Sequence, residues 1–234
     1  MTGAASGIGR QIALAYAQAG ALVIVADKDY EGDRFVREEL RPLVPDCCFF
    51  HCDLALASAC ENLMQSIFEQ LDDLDIIINN AGVSQFCSLW EETAEHWDYV
   101  LNSNLRSIFL ISRDYMINRR NKGYKERYGR IVNISSTRSM MSEEGTEAYT
   151  ASKGGVTALT HALAVSFVLY AVTVNSISPG WICCEGYDQL GYADHRQHLS
   201  GRVGCPEDVV SACLFLTDEK NDFINGQDLV VVVA

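Results

Sequence analysis

The first ten residues restrict the fold more than any other stretch. Gly3, Gly7 and Gly9 are spaced G-x-x-x-G-x-G and open a stretch with apolar residues at helical spacing. Glycines let the backbone approach a pyrophosphate closely, and the amides at a helix start point toward it. A predicted strand at 22–26 follows, and Asp27 ends it, where a dinucleotide-binding fold places an acidic residue for a ribose hydroxyl. The pattern favours a dinucleotide site over a simple glycine-rich turn.

Downstream of the glycines, predicted strands and helices alternate along the whole chain. This order predicts a doubly wound parallel α/β sheet with helices on both faces, in a single domain of residues 1–234. Further strands are predicted at 47–52, 75–79, 130–134, 172–177 and 228–233, and helices at 30–43, 57–71, 93–118, 206–216 and around Tyr149.

Two segments depart from that order. Only Met1 precedes Thr2, although a doubly wound sheet buries the strand before the glycine loop at its centre. We therefore expect either a gap beside 22–26, or a stub at residues 1–3 of a strand that begins upstream of this sequence. The second segment, 183–204, contains four glycines and no clear period, which predicts a mobile substrate lid.

Charge and composition exclude several classes of protein. The net charge of −13 disfavours nucleic acid or an anionic membrane surface as a partner, and we interpret the basic residues of 119–130 as a solvated helix end and loop. No apolar run approaches the ~20 residues needed to span a bilayer. No signal peptide precedes the glycine loop, so we expect a cytoplasmic protein.

The cysteines and histidines give no recognisable metal motif. The nine cysteines form no C-x-x-C and no zinc-finger spacing with the five histidines, which indicates reduced thiols, mostly in the core. His195 and His198 lie in a loop-like stretch, but no carboxylate or cysteine pattern completes a site. We expect no metal.

Tyr149 and Lys153 are the candidates for proton chemistry. They lie four residues apart at the start of a predicted helix and so share one face. An ammonium near a phenol favours the phenolate, so we expect the pKa of Tyr149 to fall below its reference of about 10. Such a phenol could act as a general acid/base near neutral pH. The alternative is a surface pair of the i,i+4 kind.

Together these segments closely resemble the classical short-chain dehydrogenase/reductase family, almost from end to end. The matching segments are T-G-A-A-S-G-I-G at 2–9, N-N-A-G at 79–82, L-N-S-N-L at 101–105, Ser136 placed 13 residues before Tyr149, and P-G at 179–180. The fold that the resemblance implies is the Rossmann type.

The resemblance implies a catalytic role for four residues. Tyr149 would exchange a proton with the substrate oxygen, and Ser136 would donate a hydrogen bond to the same oxygen, with Ser135 as the fallback. Lys153 would lower the pKa of Tyr149 and bind the nicotinamide ribose. Asn104 would hold a water molecule that links Lys153 to solvent.

The implied cofactor is NAD (NADH). The Asp27 carboxylate can accept hydrogen bonds from both ribose hydroxyls of NAD but would repel the 2′-phosphate of NADP, with Lys28 as the one neighbour that could soften the repulsion. Asp53 and Ala81 would flank the adenine, and Ile182 would contact the carboxamide. The expected cofactor-binding residues are Gly3, Ser6, Gly7, Ile8, Gly9, Asp27, Asp53, Leu54, Asn80, Ala81, Gly82, Tyr149, Lys153, Pro179, Gly180 and Ile182.

We therefore predict an NAD-dependent oxidoreductase that interconverts a small-molecule secondary alcohol and a ketone, in a homo-oligomer (tetramer or dimer) paired through the helices of Asn104 and Tyr149. The alternative is a dinucleotide-binding or regulatory protein that lost turnover. Three departures from the family keep this alternative in consideration. They are the missing strand, an atypical C-terminus, and Cys183 and Cys184 at positions where the family carries threonine. The sequence does not decide the substrate. Aromatic residues near the site favour a ring-bearing alcohol, whereas the acidic residues of 143–147 favour a polyol.

Overall fold

A computed structural model describes residues 1–231. Its strands are all paired in parallel, in the order β2-β1 for two of them and β3-β4-β5-β6 for the other four. This arrangement confirms the predicted doubly wound parallel sheet. The strands are β1 (Ile24–Asp27), β2 (Cys48–His51), β3 (Ile76–Asn79), β4 (Gly129–Ile134), β5 (Val172–Pro179) and β6 (Asp228–Val231); residues 232 and 233 of the last predicted strand lie outside the described part.

The two groups of strands meet at the stub formed by residues 1–3. Thr2 bridges Ala26 of β1 on one side and Asn79 of β3 on the other, both in parallel. Beyond the stub a cavity of about 470 Å³ separates the strands, and its walls are mostly apolar. The expected gap beside 22–26 is therefore present, and residues 1–3 pair with a strand on either side of it. Residues that line the cavity include Leu22, Ile24, Leu63, Ile67, Ile76 and Ile77.

Apart from the short helix at 192–196, the helices lie where the periodicity predicts them, with two interruptions. A π-helical turn, Val36–Leu40, follows α2, and a second, Asn102–Arg106, joins α4 to α5, so the helix predicted at 93–118 is not one regular helix. The helices are α1 (Gly7–Gln18), α2 (Glu31–Phe35), α3 (Ala57–Gln70), α4 (Ala94–Leu101), α5 (Ser107–Lys122), α6 (Glu147–Phe167), α7 (Tyr192–Arg196) and α8 (Pro206–Thr217).

Both faces of the sheet are buried, because successive strand residues point to opposite sides. Val25 and Val132 pack into a core with residues of α1, α2 and α8. Ile24 and Ile131 pack into a second core with residues of α3, α5 and α6. The carboxyl ends of the strands are thereby left as the edge where a site can form.

The basic cluster is not uniformly solvated, contrary to our interpretation. Arg119 is fully buried, forms a 2.8 Å ion pair with Asp73, and donates to the Leu74 carbonyl. Arg130 is also buried and donates to the Gly129 carbonyl. The Asp73 and Leu74 partners of Arg119 come from a segment about 45 residues earlier, so the local composition could not indicate them.

The predicted lid segment is partly ordered into short helices. It contains the 3₁₀ turn Tyr187–Gln189 and α7, and a parallel bridge between Ile182 and Gly204 closes its base. The Tyr187 hydroxyl donates to the Val203 carbonyl at 2.8 Å. Its mobility stays a prediction. Within residues 1–231, no helix is long and apolar enough to cross a bilayer.

Candidate active site

Two adjoining cavities of about 360 and 540 Å³ lie at the carboxyl ends of the strands. Ile8, Asn80 and Gly82 line both of them, so the cavities form one groove. Ser136, Tyr149, Lys153, Pro179, Gly180 and Ile182 line the smaller cavity, and Gly3, Ser6, Gly7, Asp27, Asp53, Leu54 and Ala81 line the larger one. The structure thus brings together all the predicted site residues except Gly9 and Asn104, which lie directly behind the groove.

The glycine loop forms the floor of the larger cavity. Gly3 has φ +64°, and a β-carbon there would lie 2.6 Å from the Cα of Ala81. A β-carbon at Gly9 would overlap the carbonyl oxygen of Gly3, to which the Asn80 amide donates at 2.7 Å. α1 begins at this loop, and its first amides are the donors that suit a pyrophosphate. The loop therefore fits a dinucleotide.

Asp27 is held in place at the end of β1. One carboxylate oxygen accepts from the Ala5 amide at 2.9 Å, and the other accepts from the Asp29 amide at 3.0 Å. Lys28 lines the same cavity, and its ammonium donates to the Tyr99 hydroxyl at 3.0 Å. The carboxylate is thus fixed in orientation, with a cation beside it.

Burial dominates the ionisation of the tyrosine–lysine pair. The Lys153 ammonium lies 5.6 Å from the centre of the Tyr149 ring and donates to the Ile134 carbonyl at 2.8 Å. Desolvation lowers the pKa of Lys153 to about 8. Burial also raises the pKa of Tyr149, while the hydrogen bond with Ser136 and the charge of Arg138 oppose part of that rise. The expected fall in the pKa of Tyr149 is therefore wrong for this structure.

The two neighbouring serines have different surroundings. Ser136 Oγ accepts from the Arg138 amide at 3.1 Å, so it caps a short 3₁₀ turn, and it also reaches the Tyr149 phenol. Ser135 Oγ donates to the backbone carbonyl of Lys153 at 3.0 Å. Ser136, rather than Ser135, is therefore the serine that lies beside the Tyr149 phenol.

Asn104 lies in the π-helical turn, and its amide spans two elements. Its Oδ1 accepts from the Val83 amide at 2.7 Å, and its Nδ2 donates to the Val83 carbonyl and to Ser152 Oγ, each at 3.0 Å. A β-carbon at Gly82 would lie 3.2 Å from Asn104 Oδ1 and 3.5 Å from Lys153 Nζ. Asn104 thus fixes the backbone that follows N-N-A-G. Its part in a proton path stays a prediction.

Several groove residues were not predicted from the sequence as cofactor contacts. Val83 and Ser84 line both cavities, and their position directly after N-N-A-G is the signal that could have indicated them. Cys184 lines the larger cavity, with its sulfur 3.5 Å from where a β-carbon of Gly7 would lie. Phe86 meets the Tyr149 ring edge-on at 5.6 Å between ring centres.

Known proteins are similar to this chain over nearly its whole length. Residues 3–232 match a family profile described as enoyl-(acyl carrier protein) reductase. An uncharacterized oxidoreductase of Thermotoga maritima is 39% identical over 243 residues, 99% of this chain and 92% of that protein. Cyclopentanol dehydrogenase of Comamonas testosteroni is 32% identical over 237 residues, 99% of this chain and 93% of that protein.

A solved structure gives the same result. The apo SCOR enzyme from Clostridium thermocellum matches with a TM-score of 0.86 and 35% identity, over 98% of this chain and 88% of that one. The sequence motifs, the parallel sheet, the glycine loop and these relatives agree. The chain is an oxidoreductase and belongs to the classical short-chain dehydrogenase/reductase family.

Proposed function

We propose that this oxidoreductase interconverts a secondary alcohol and a ketone with NAD(H) as the cofactor. One observation carries the proposal: Ser136, Tyr149 and Lys153 line a cavity that continues into the groove of the glycine loop and Asp27. Proton chemistry and dinucleotide binding thus share one groove, at the edge of the sheet where such folds bind their ligands.

The chain supplies proton transfer and positioning. Nicotinamide dinucleotide, when bound, supplies or accepts the hydride. Because the pKa of Tyr149 is raised, its phenol is protonated near pH 7 and can donate to a ketone oxygen. Ser136 can donate to the same oxygen and so stabilise developing negative charge. Lys153, with a pKa near 8, is mostly protonated at pH 7 and lies beneath the Tyr149 ring.

Asp27 supports NAD over NADP as the cofactor. Two backbone amides hold the carboxylate in one orientation at the end of β1. The 2′-phosphate of NADP would therefore lie close to a negative charge that cannot rotate out of its way. Lys28 offers one compensating charge, although its ammonium is already bonded to Tyr99. The balance favours a ribose hydroxyl at this position.

The surroundings of Tyr149 support an apolar cyclic or ring-bearing alcohol. Phe86 lies against the Tyr149 ring, and Trp181 lines the catalytic cavity. Of the acidic residues considered for a polyol, Glu143 is ion-paired with Arg138. Cyclopentanol, the substrate that one relative's name states, is a cyclic secondary alcohol.

Two measurements on the purified protein test the proposal. Titration with NADH, followed by cofactor fluorescence, should show binding. An NAD-linked oxidation screen of cyclic alcohols, hydroxysteroids, hydroxyacids and polyols should then show turnover. Binding without turnover of any compound would favour the alternative of a regulatory dinucleotide-binding protein, and the absence of NADH binding would contradict both.

We also propose that the protein self-associates through α5 and α6. Both helices expose apolar side chains, namely Phe109, Ile117 and Val165. Such side chains are buried when two copies pair. Light scattering should give a dimer or tetramer at micromolar concentration, and a monomer would contradict this.

A further inference from the structure

A second cluster of reactive side chains lies outside the groove, in the segment between β3 and α4. It consists of Cys87, Glu92 and His96, and one ligand atom of each lies within 4.8 Å of the others. All three residues are half-buried. A thiolate, a carboxylate and an imidazole are the ligands that Zn²⁺ uses most in proteins. The spacing C-x4-E-x3-H matches no common motif, so the sequence predicts no site here.

The backbone holds the three side chains in place. Cys87 is held by its amide, which donates to the Gly145 carbonyl at 3.1 Å. Glu92 and His96 lie one helical turn apart at the start of α4, and an imidazole nitrogen lies 2.5 Å from a Glu92 carboxylate oxygen. Thr93 caps the same helix by accepting from the His96 amide at 3.1 Å. The cluster is thus built on two anchored segments.

We propose that Cys87, Glu92 and His96 bind one divalent cation of the Zn²⁺ class. With bonds of about 2.0–2.3 Å, ligand atoms in a tetrahedral site lie roughly 3.3–3.7 Å apart. The present spacing needs shifts of only about 1 Å to reach that geometry. The Cys87 proton leaves to solvent as the sulfur binds the cation, and no other bond changes.

A further carboxylate, that of Glu147, acts electrostatically on the Cys87 sulfur. One carboxylate oxygen of Glu147 is buried and has no hydrogen-bond partner among residues 1–231. Glu92, Glu91 and Glu147 are the carboxylates whose negative charges act on the Cys87 sulfur. These carboxylates create a negative potential at the sulfur that a divalent cation would neutralise.

The position of the cluster indicates what the cation would do. Cys87 directly follows Phe86, whose ring lies against Tyr149, and Glu147 lies two residues before Tyr149 on α6. A cation bound here would tie the segment that carries Phe86 to the start of α4. It would therefore stabilise one wall of the groove without contacting the reacting atoms. Cation binding at this cluster does not depend on which reaction the groove catalyses.

Co²⁺ titration of the metal-stripped protein tests the proposal, because Co²⁺ reports both geometry and thiolate ligation in its absorption spectrum. We expect one Co²⁺ per chain, with tetrahedral visible bands and a thiolate charge-transfer band, and displacement by one equivalent of Zn²⁺. Cys87→Ser should remove the charge-transfer band, and His96→Ala should weaken binding at least tenfold. Cys48→Ser and His51→Ala, which change the same residue types in β2, should leave the spectrum unchanged.

Alkylation provides a measurement that needs no variant. Zn²⁺ should slow the reaction of iodoacetamide with Cys87 more than with Cys205, as quantified by peptide mass spectrometry. Absence of a Co²⁺ spectrum in the unmodified protein would overturn the proposal. So would a charge-transfer band that survives in folded Cys87→Ser, or alkylation of Cys87 that Zn²⁺ does not slow.

Discussion

The two halves of the sheet differ in the parts of the groove that they hold. They are joined through residues 1–3. The proposed catalytic residues lie around the four strands β3–β6, where Lys153 and Asn104 are buried and hydrogen-bonded to neighbouring segments. The two strands β1–β2 hold Asp27 and the end of the groove proposed for the adenosine. Between the halves, Thr2 is the strand-like bridge in the described chain, next to an apolar cavity. The two groups of strands therefore hold different parts of the groove, although both pack against the same two cores.

The difference between the two halves predicts that a substitution can abolish turnover without abolishing cofactor binding. Tyr149→Phe deletes the proton donor in the four-stranded half, and general acid/base catalysis is worth on the order of 10²–10⁴-fold. We expect turnover to fall by that factor while NADH affinity, measured by fluorescence, stays within a few-fold of the unmodified value. Tyr30→Phe, at an exposed ring outside the groove, is the control. Near-normal activity of Tyr149→Phe would refute the assignment.

The buried lysine makes the four-stranded half sensitive to pH. The pKa of Lys153 falls from its ordinary 10.5 to about 8, so between these values the unfolded chain binds more protons than the folded one. Stability should therefore rise with pH across this window, by roughly 3 kcal/mol in total. Urea unfolding at pH 7.5 and pH 10 measures the rise, and Lys153→Met should abolish it. A difference between protein and variant that does not change with pH would contradict the buried ammonium.

The Thr2 hydroxyl contributes to the junction between the halves, beside the backbone hydrogen bonds of residues 1–3. Thr2 Oγ accepts from the amides of Asn80 at 3.0 Å and Ala81 at 3.1 Å. Thr2→Val keeps the shape but leaves these amides without their acceptor, which should cost about 1–3 kcal/mol of unfolding free energy. Thr2→Ser keeps the hydroxyl and should cost less. Equal urea midpoints for Val and Ser would show that the hydroxyl does not hold the halves together.

The two-stranded half should set the choice of cofactor. Like charges about 4 Å apart repel by about 4 kcal/mol at an effective dielectric near 20, before solvent screening. We therefore expect at least tenfold higher kcat/KM with NADH than with NADPH, which needs only about 1.4 kcal/mol. Asp27→Asn keeps an oxygen for the Ala5 amide and should shrink the ratio. Equal use of both cofactors by the unmodified enzyme would refute the role of Asp27.

Local patterns predicted the elements, because hydrophobic periodicity and glycine spacing are local properties. The strand predicted at 130–134 is Gly129–Ile134, and the helix of Tyr149 places Lys153 in the same cavity. What the patterns missed depends on distant segments. The pKa of Tyr149 follows its burial rather than the sequence distance to Lys153, and Arg119 is buried by a partner 46 residues earlier in the chain, Asp73.

The π-helical turn Asn102–Arg106 also determines the direction in which the preceding side chains point relative to those of α5. A π-helical turn carries an extra residue relative to an α-helix. Removing one residue from it would restore a regular helix and rotate Asn104 by about 100° relative to α5. Its amide would then point away from Val83 and Ser152, which it now joins. The segment from α4 to α5 is therefore two helices whose side-chain positions are offset by one residue. The offset lies where Asn104 contacts the residues of the groove, and not where the helices pack on the sheet.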